Sequence, residues 1–129
     1  MEFPSGLLYT KDHEWALHSS DDTVTIGITD HAQEALGEIV YVELPKTGRE
    51  LKEHETFGVV ESIKAVSDLY CPVAGTVIEV NSQLTNDPSL INRASYKDGW
   101  LIKVKLTDKN SLQGLMNATQ YRAFVESLK

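Results

Sequence analysis

The chain has 129 residues, of which 41% are hydrophobic and 24% charged, a size and composition that fit one soluble globular domain with a single core. Its formal net charge of −7 argues against nucleic acid as a partner, because phosphate binding needs clustered Lys and Arg and the sequence has no basic run. No apolar run approaches the ~20 residues that a membrane-spanning helix needs.

Short strands separated by turn residues dominate the chain. In chain order we predict a strand over residues 22–28, a helix over 31–36, strands over 38–44, 57–60, 66–70, 75–80 and 99–104, and one or two helices within 110–129. Thr29 and Asp30 offer N-cap oxygens to the first helix, Gln33 completes a capping box with Asp30, and Gly37 ends the helix. This spacing of strands favours a sandwich or a flattened barrel.

A weak internal repeat supports two related halves. Residues 37–42 match residues 75–80, and each copy is followed by a polar stretch and then an apolar strand. Two such halves facing each other would bury one core between them. The C-terminal residues 110–129 carry apolar side chains at helical spacing, which predicts a helical segment that covers this core.

Lys64 is the most informative residue of the sequence. Apolar, strand-favouring residues flank it on both sides, and a Pro-Val-Ala-Gly stretch follows at residues 72–75. That arrangement suits a lysine displayed at the bend between two strands, where another protein can acylate its amine with a cofactor. The bend lacks the Asn-Gly or Gly-containing pair of short hairpins, so local propensity leaves residues 62–65 ambiguous between turn, strand and helix.

Several sequence blocks, taken together, resemble one protein family. The block around the lysine is Val60-Glu61-Ser62-Ile63-Lys64-Ala65; the others are residues 9–15 (with His13-Glu14-Trp15), 27–33, 36–40, 67–70 and 98–100, with Pro88, Leu90, Ile91 and Asn92. In order and spacing they resemble the H proteins of the glycine cleavage system, from Leu8 to about Val104. We therefore expect residues 1–129 to form a single lipoyl-carrier domain, with a β-rich core over about 8–104 and a C-terminal helical segment over about 108–129.

The resemblance implies a fold, a cofactor and a function. The fold would be mainly β, a barrel-sandwich hybrid of the lipoyl- and biotinyl-carrier type with short helices, and lipoate would be attached covalently to Lys64 at a hairpin tip. The protein would be a carrier rather than an enzyme. It would shuttle the aminomethyl group of glycine from a pyridoxal-phosphate glycine decarboxylase to a tetrahydrofolate-dependent aminomethyltransferase, and a flavin-dependent dihydrolipoamide dehydrogenase would reoxidise it. Lipoate-attaching enzymes are further implied partners, and we expect a monomer.

Other site residues follow from the same resemblance. Glu14 occupies the position of the family's arm-contacting glutamate, where a carboxylate could grip an ammonium group by a charge-assisted hydrogen bond. Glu61 and Asp68 flank the lysine and are candidates for recognition by the ligase or another partner. Cys71 stands where we expect a small residue, often alanine, and is interpreted as a small buried hydrophobe. No metal-binding motif is present.

Alternative carriers share the lysine but differ around it. A biotinyl carrier typically places methionines beside the lysine, where this chain has Ile63 and Ala65, and a lipoyl domain of a 2-oxoacid dehydrogenase would usually have Asp before it. An H-like protein that relays lipoyl groups to other enzymes remains open, because it would share Lys64.

Non-carrier alternatives are a small hydrolase that uses Cys71 with a histidine, and a purely structural β module. With one cysteine and no recognisable leader, we expect a cytoplasmic protein, although a mature mitochondrial protein would look similar.

Overall fold

The computed structural model describes residues 1–128, which form two antiparallel β-sheets and a few short helices. The strands are β1 (Leu8–Tyr9), β2 (Glu14–His18), β3 (Thr23–Ile28), β4 (Ile39–Glu43), β5 (Glu50–Leu51), β6 (Thr56–Ser62), β7 (Val66–Tyr70), β8 (Gly75–Val80) and β9 (Ile102–Leu106). One sheet has six strands in the order β1-β2-β3-β9-β8-β5, and the other has three in the order β4-β6-β7. The mainly β prediction is confirmed.

One hydrophobic core lies between the two sheets. In the six-stranded sheet, Ile26 pairs with Ile102, and both side chains are fully buried. In the three-stranded sheet, Val60 is also fully buried. Residues from both sheets therefore belong to one apolar cluster, as in the barrel-sandwich hybrid that the family resemblance implies.

The helices are α1 (Asp30–Leu36), α2 (Gln83–Asn86), α3 (Leu90–Arg93) and α4 (Ala118–Ser127), with a 3-10 helix at Lys109–Leu112. Thr29 caps α1, because its hydroxyl accepts a hydrogen bond from the Ala32 N–H at 3.3 Å. The predicted capping box between Asp30 and Gln33 is wrong, since the Gln33 amide instead accepts a hydrogen bond from Asn92 of α3. Gly37 ends α1 as predicted, with φ of 80°.

The last predicted strand starts too early. We predict it over residues 99–104, whereas β9 spans Ile102–Leu106. Gly99 packs against the end of α3, where a Cβ would lie 2.9 Å from the Cα of Ile91, and its N–H donates to the carbonyl of Ala94. This close approach takes the backbone away from the sheet until Leu101, whose N–H donates to Ile26.

The internal repeat corresponds to equivalent strands in different sheets. Its first copy overlaps β4, which pairs with β6 in the three-stranded sheet. Its second copy is β8, which pairs with β9 in the six-stranded sheet. Each copy thus forms an antiparallel pair with the strand that follows it in the repeat, and the two pairs contribute to the same core.

The C-terminal segment packs on a second, aromatic cluster. Tyr121 of α4 stacks on Tyr9 of β1 with ring centroids 4.6 Å apart, and its hydroxyl lies 2.7 Å from the Thr29 hydroxyl. Tyr9 and Met116 exchange two backbone hydrogen bonds of 2.8 Å. In residues 1–128 no helix combines the length and apolar composition that a bilayer crossing requires.

Candidate functional site

Lys64 lies at the tip of the β6–β7 hairpin, in the three-residue link between the two strands. The Ser62 side chain builds the turn. Its Oγ accepts hydrogen bonds from the N–H of Lys64 at 3.3 Å and of Ala65 at 3.0 Å, and the Ser62 N–H donates to the Ala65 carbonyl at 2.8 Å. A serine turn of this kind explains why a tip without glycine or asparagine still forms a hairpin.

The segment between α1 and β4 supports the tip. The Ile63 N–H donates to the carbonyl of Glu38 at 3.2 Å. The side chain of Lys64 passes over Gly37, where a Cβ would lie 3.5 Å from the lysine Cε. The lysine is exposed to solvent, and within the part of the chain that the structure describes it forms no ion pair. The amine is therefore presented to solvent on a supported tip.

Glu61 and Asp68 share the outer face of the three-stranded sheet with two exposed apolar side chains. Tyr41 pairs with Glu61 and Glu61 with Val66, while Asp68 pairs with Val59, so these side chains point to the same face. Tyr41 is 49% and Val66 69% exposed. The hairpin that carries Lys64 thus presents apolar surface next to carboxylates.

Glu14 is buried at the seam between the two sheets. Its side chain is 2% exposed, and the residue begins β2 of the six-stranded sheet. One carboxylate oxygen accepts a 2.8 Å hydrogen bond from the Thr10 hydroxyl, and the other accepts a 3.2 Å bond from the N–H of Tyr70, in β7 of the other sheet. Burial raises the pKa of Glu14 to about 7, although both hydrogen bonds act in the opposite direction.

The structure separates Glu14 from Lys64. The lysine precedes β7, whereas Glu14 contacts Tyr70, the last residue of β7. A cavity of about 230 Å³, lined in part by Thr10 and His54, lies beside the threonine that binds Glu14. A group attached to Lys64 would have to fold back along β7 to reach this end of the molecule.

Cys71 is fully buried, as the sequence indicates. Burial raises the pKa of its thiol to about 12, so the thiolate needed for nucleophilic catalysis is disfavoured. Within residues 1–128, no three His, Cys, Asp or Glu side chains are grouped closely enough to hold a metal ion. Neither a reactive cysteine nor a metal site therefore accompanies Lys64 within the described residues.

Sequence reasoning missed three residues that organise the site. They are Ser62, which closes the turn, Thr10, which binds Glu14, and Asn92, which binds the segment after α1. All three belong to the blocks that carry the family resemblance, which was the only signal available for them. Their roles depend on contacts that the order of residues does not show.

Comparisons with known proteins identify the family to which this chain is similar. The model of a protein family described as glycine cleavage H-protein matches residues 7–128. The glycine cleavage system H protein of Chromohalobacter salexigens is 56% identical over 124 residues, which cover 96% of this chain and 95% of that protein. The H protein of Halothermothrix orenii is 46% identical over 129 residues and the full length of both chains. A crystal structure of a glycine cleavage system H protein from Mycobacterium marinum superposes with a TM-score of 0.88 at 38% identity, covering 95% of this chain and 98% of that one.

Proposed function

The chain belongs to the glycine cleavage H-protein family, the lipoyl carriers of the glycine cleavage system, and we propose that its lipoyl group is attached to Lys64. The observation that carries this proposal is the position of Lys64, the lysine of an exposed hairpin tip that is held by Ser62 and by the carbonyl of Glu38. Amide formation would remove the positive charge of the amine. The fit is good because no ion pair of Lys64 within residues 1–128 would be broken.

The proposal includes three enzymes that act on the arm in turn. They are a pyridoxal-phosphate glycine decarboxylase, a tetrahydrofolate-dependent aminomethyltransferase and a flavin-dependent dihydrolipoamide dehydrogenase, in addition to the enzyme that attaches the lipoyl group. When bound, the lipoyl group supplies a disulfide that can accept the aminomethyl group and two electrons. The residues of the chain display, orient and shield that group.

The hairpin presents the lysine to partner enzymes, and we assign the recognition of the hairpin by these enzymes to Glu61 and Asp68. Both carboxylates lie on the outer face of the sheet that ends at the lysine. A partner that approaches Lys64 along this face meets negative charge beside the exposed Tyr41 and Val66. An apolar centre with a charged rim is the usual composition of a protein interface.

Shielding is assigned to Glu14. An arm folded back along β7 would bring its amino group toward the carboxylate, which prefers a positively charged partner once ionised. In the structure that carboxylate is engaged with Thr10 and Tyr70, so contact with the arm requires one of these hydrogen bonds to be shared or exchanged. An ammonium group beside Glu14 would lower its pKa and favour the ionised form.

We also propose that the protein works in a reducing compartment, the cytoplasm. Cys71, the single cysteine, can form no disulfide within the chain, which is compatible with a cytoplasmic location.

Intact mass tests the proposal directly. Wild-type protein and Lys64→Arg are incubated with lipoate, ATP and a lipoate ligase, with a known carrier modified in parallel. We expect a gain of one lipoyl mass in the wild type alone. The absence of any gain in the wild type, while the known carrier is modified, would exclude Lys64 as the attachment site.

A second assay separates glycine cleavage from lipoyl relay. The lipoylated protein is added to glycine decarboxylase, and the release of labelled carbon dioxide from glycine is measured. A carrier of the glycine cleavage system supports this release. A protein that only relays lipoyl groups would be lipoylated on Lys64 and still fail to support it.

A further inference from the structure

The segment of residues 37–39 supports the tip that carries Lys64, and it has no regular structure of its own until β4 begins at Ile39. We propose that Asn92, on α3, is a positioning residue for Lys64, because it fixes this segment and thereby fixes the hairpin tip. The inference rests on the proposed function, since the lysine is taken as the lipoyl attachment site. It assigns a role to a residue that lies 28 positions away from the lysine in sequence.

Both the oxygen and the nitrogen of the Asn92 side-chain amide form hydrogen bonds. Their partners lie in the segment of residues 37–39 and in α1. Its oxygen accepts from the N–H of Ile39 at 2.8 Å. Its nitrogen donates to the carbonyl of Gly37 at 2.9 Å and to the side-chain oxygen of Gln33 at 3.0 Å. Only one orientation of the amide satisfies a backbone donor and a backbone acceptor at these two positions, so the assignment of its nitrogen and oxygen is unambiguous.

The two backbone contacts of Asn92 lie on either side of Glu38. The carbonyl of that residue is the acceptor for the N–H of Ile63, the residue before the lysine. Gly37 is also the surface over which the aliphatic stem of Lys64 passes. Asn92 therefore restrains the backbone on both sides of the carbonyl that accepts from the tip, together with the pairing of Ile39 and Ser62 in the sheet.

The segment needs such a clamp because of the backbone geometry of Gly37. Its φ of 80° and ψ of −159° lie in a region that is open almost only to glycine. Glycine is also the residue with the greatest conformational freedom, so the local sequence does not hold this geometry by itself. The bond from Asn92 to the Gly37 carbonyl restrains it.

A loss of this restraint should weaken the encounter with the ligase rather than the chemical step. If the tip adopts the displayed conformation only about a tenth of the time, the apparent KM for the protein substrate rises about tenfold, because apparent affinity falls with the competent fraction. The turnover number should change little, since the amine and the ligase active site are unaltered once bound.

The chain offers a matched control in Asn81. Its amide nitrogen donates to the carbonyls of Asp98 and Trp100 at 2.7 Å each, and its oxygen accepts from the N–H of Gln83. This asparagine has the same number of hydrogen bonds as Asn92, but none of them is made to the segment under the tip. Asn81→Ala therefore reproduces the general destabilisation without the proposed positioning effect.

The experiment compares the wild type, Asn92→Ala, Asn92→Asp and Asn81→Ala as substrates of a lipoate ligase, and it measures amide hydrogen exchange of Ile63. We expect both Asn92 variants to raise KM with little change in kcat. We also expect faster exchange of the Ile63 N–H, with the Ser62 N–H as the internal reference because its acceptor, the Ala65 carbonyl, lies inside the turn. Asn92→Asp retains the acceptor for Ile39 and loses the donors, so it tests the contact with Gly37 if Asn92→Ala folds poorly.

Two results would overturn the proposal. One is an unchanged KM, or unchanged Ile63 exchange, in both Asn92 variants when they are folded; the other is an equal rise of KM in Asn81→Ala. Failure of the proposed function is distinguishable, because the wild type would then not be lipoylated at all, while hydrogen exchange at Ile63 would still report whether Asn92 positions the tip.

Discussion

Lys64 and Glu14, the two residues that the resemblance associates with the lipoyl arm, lie in opposite environments. The lysine is exposed at the end of a hairpin, whereas the Glu14 side chain is 2% exposed at a seam between sheets. A buried carboxylate is costly to ionise, and here Thr10 and Tyr70 compensate only in part. Such a carboxyl group suits the binding of an ammonium group, whose positive charge would favour its ionised form.

Glu14→Gln should change how stability depends on pH. Because the pKa of Glu14 is higher in the folded state than its ordinary 4.5, the folded protein binds the proton more tightly, and stability from this group is lost as pH rises from about 4.5 through about 7. The difference corresponds to roughly 3 kcal/mol across that window. Urea unfolding at pH 5 and pH 8 should show the variant gaining stability relative to the wild type by a large part of this amount.

The same variant tests the contact with the arm. Glu14→Gln should accelerate hydrolysis of the aminomethyl-loaded protein, because a neutral amide holds an ammonium group less strongly than a carboxylate. Glu126→Gln, which changes an exposed acid on α4, serves as the control for both measurements. Equal hydrolysis rates in all three proteins would contradict the assigned role of Glu14.

At the scale of elements, the hairpin depends on a side chain rather than on a turn-forming pair. Ser62 supplies the acceptor for two N–H groups of the tip, so β6 and β7 can be joined without a glycine. A glycine would make the tip more flexible, because it has the widest backbone freedom. The serine turn instead leaves a non-glycine residue, the lysine, in a defined backbone position.

Ser62→Ala should loosen the tip without unfolding the sheet. Loss of one side-chain acceptor typically costs about 1 kcal/mol. We expect faster hydrogen exchange of the Ala65 N–H and a higher KM in lipoylation. Ser67→Ala is the matched control, because its hydroxyl donates to the neighbouring carbonyl of Asp68 and, within residues 1–128, forms no hydrogen bond to the tip. If the two serine variants are lipoylated with the same KM, the turn does not depend on Ser62 in the way inferred.

The whole molecule combines a rigid scaffold with an acidic surface around the lysine. Lys64 is the only lysine or arginine between Lys52 and Arg93, and the chain carries a formal net charge of −7. Lipoylation would remove this positive charge from a face that carries Glu61 and Asp68. The negative net charge of the whole surface would attract a basic partner over long distances, in addition to any local effect of Glu61 and Asp68.

The double variant Glu61→Gln, Asp68→Asn should raise the KM for lipoylation several-fold at low ionic strength, with a smaller effect at about 0.5 M salt, because salt screens exposed charges. Glu50→Gln, Glu126→Gln changes the net charge equally, and both of its acids are exposed in other elements. Equal effects of the two double variants would show that net charge alone is sensed and that the hairpin face is not specifically recognised.

Sequence reasoning located the elements well where the signal is local. Alternating strands, the cap at Thr29 and the stop at Gly37 follow from the preferences of single residues and their near neighbours. It failed at residues 99–101, which run against α3 instead of pairing in the sheet. There a tertiary contact overrides a strand-like pattern.

The sequence by itself determined the β-rich architecture, the family and the lysine to examine, because these depend on composition, periodicity and motifs along the chain. Only the tertiary structure decided the environment of Glu14 and the role of Asn92. The carboxylate of Glu14 meets Tyr70 across 56 positions, and Asn92 meets Gly37 across 55. Burial and hydrogen bonding between such distant residues arise when the sheets and helices pack, so no local pattern could have specified them.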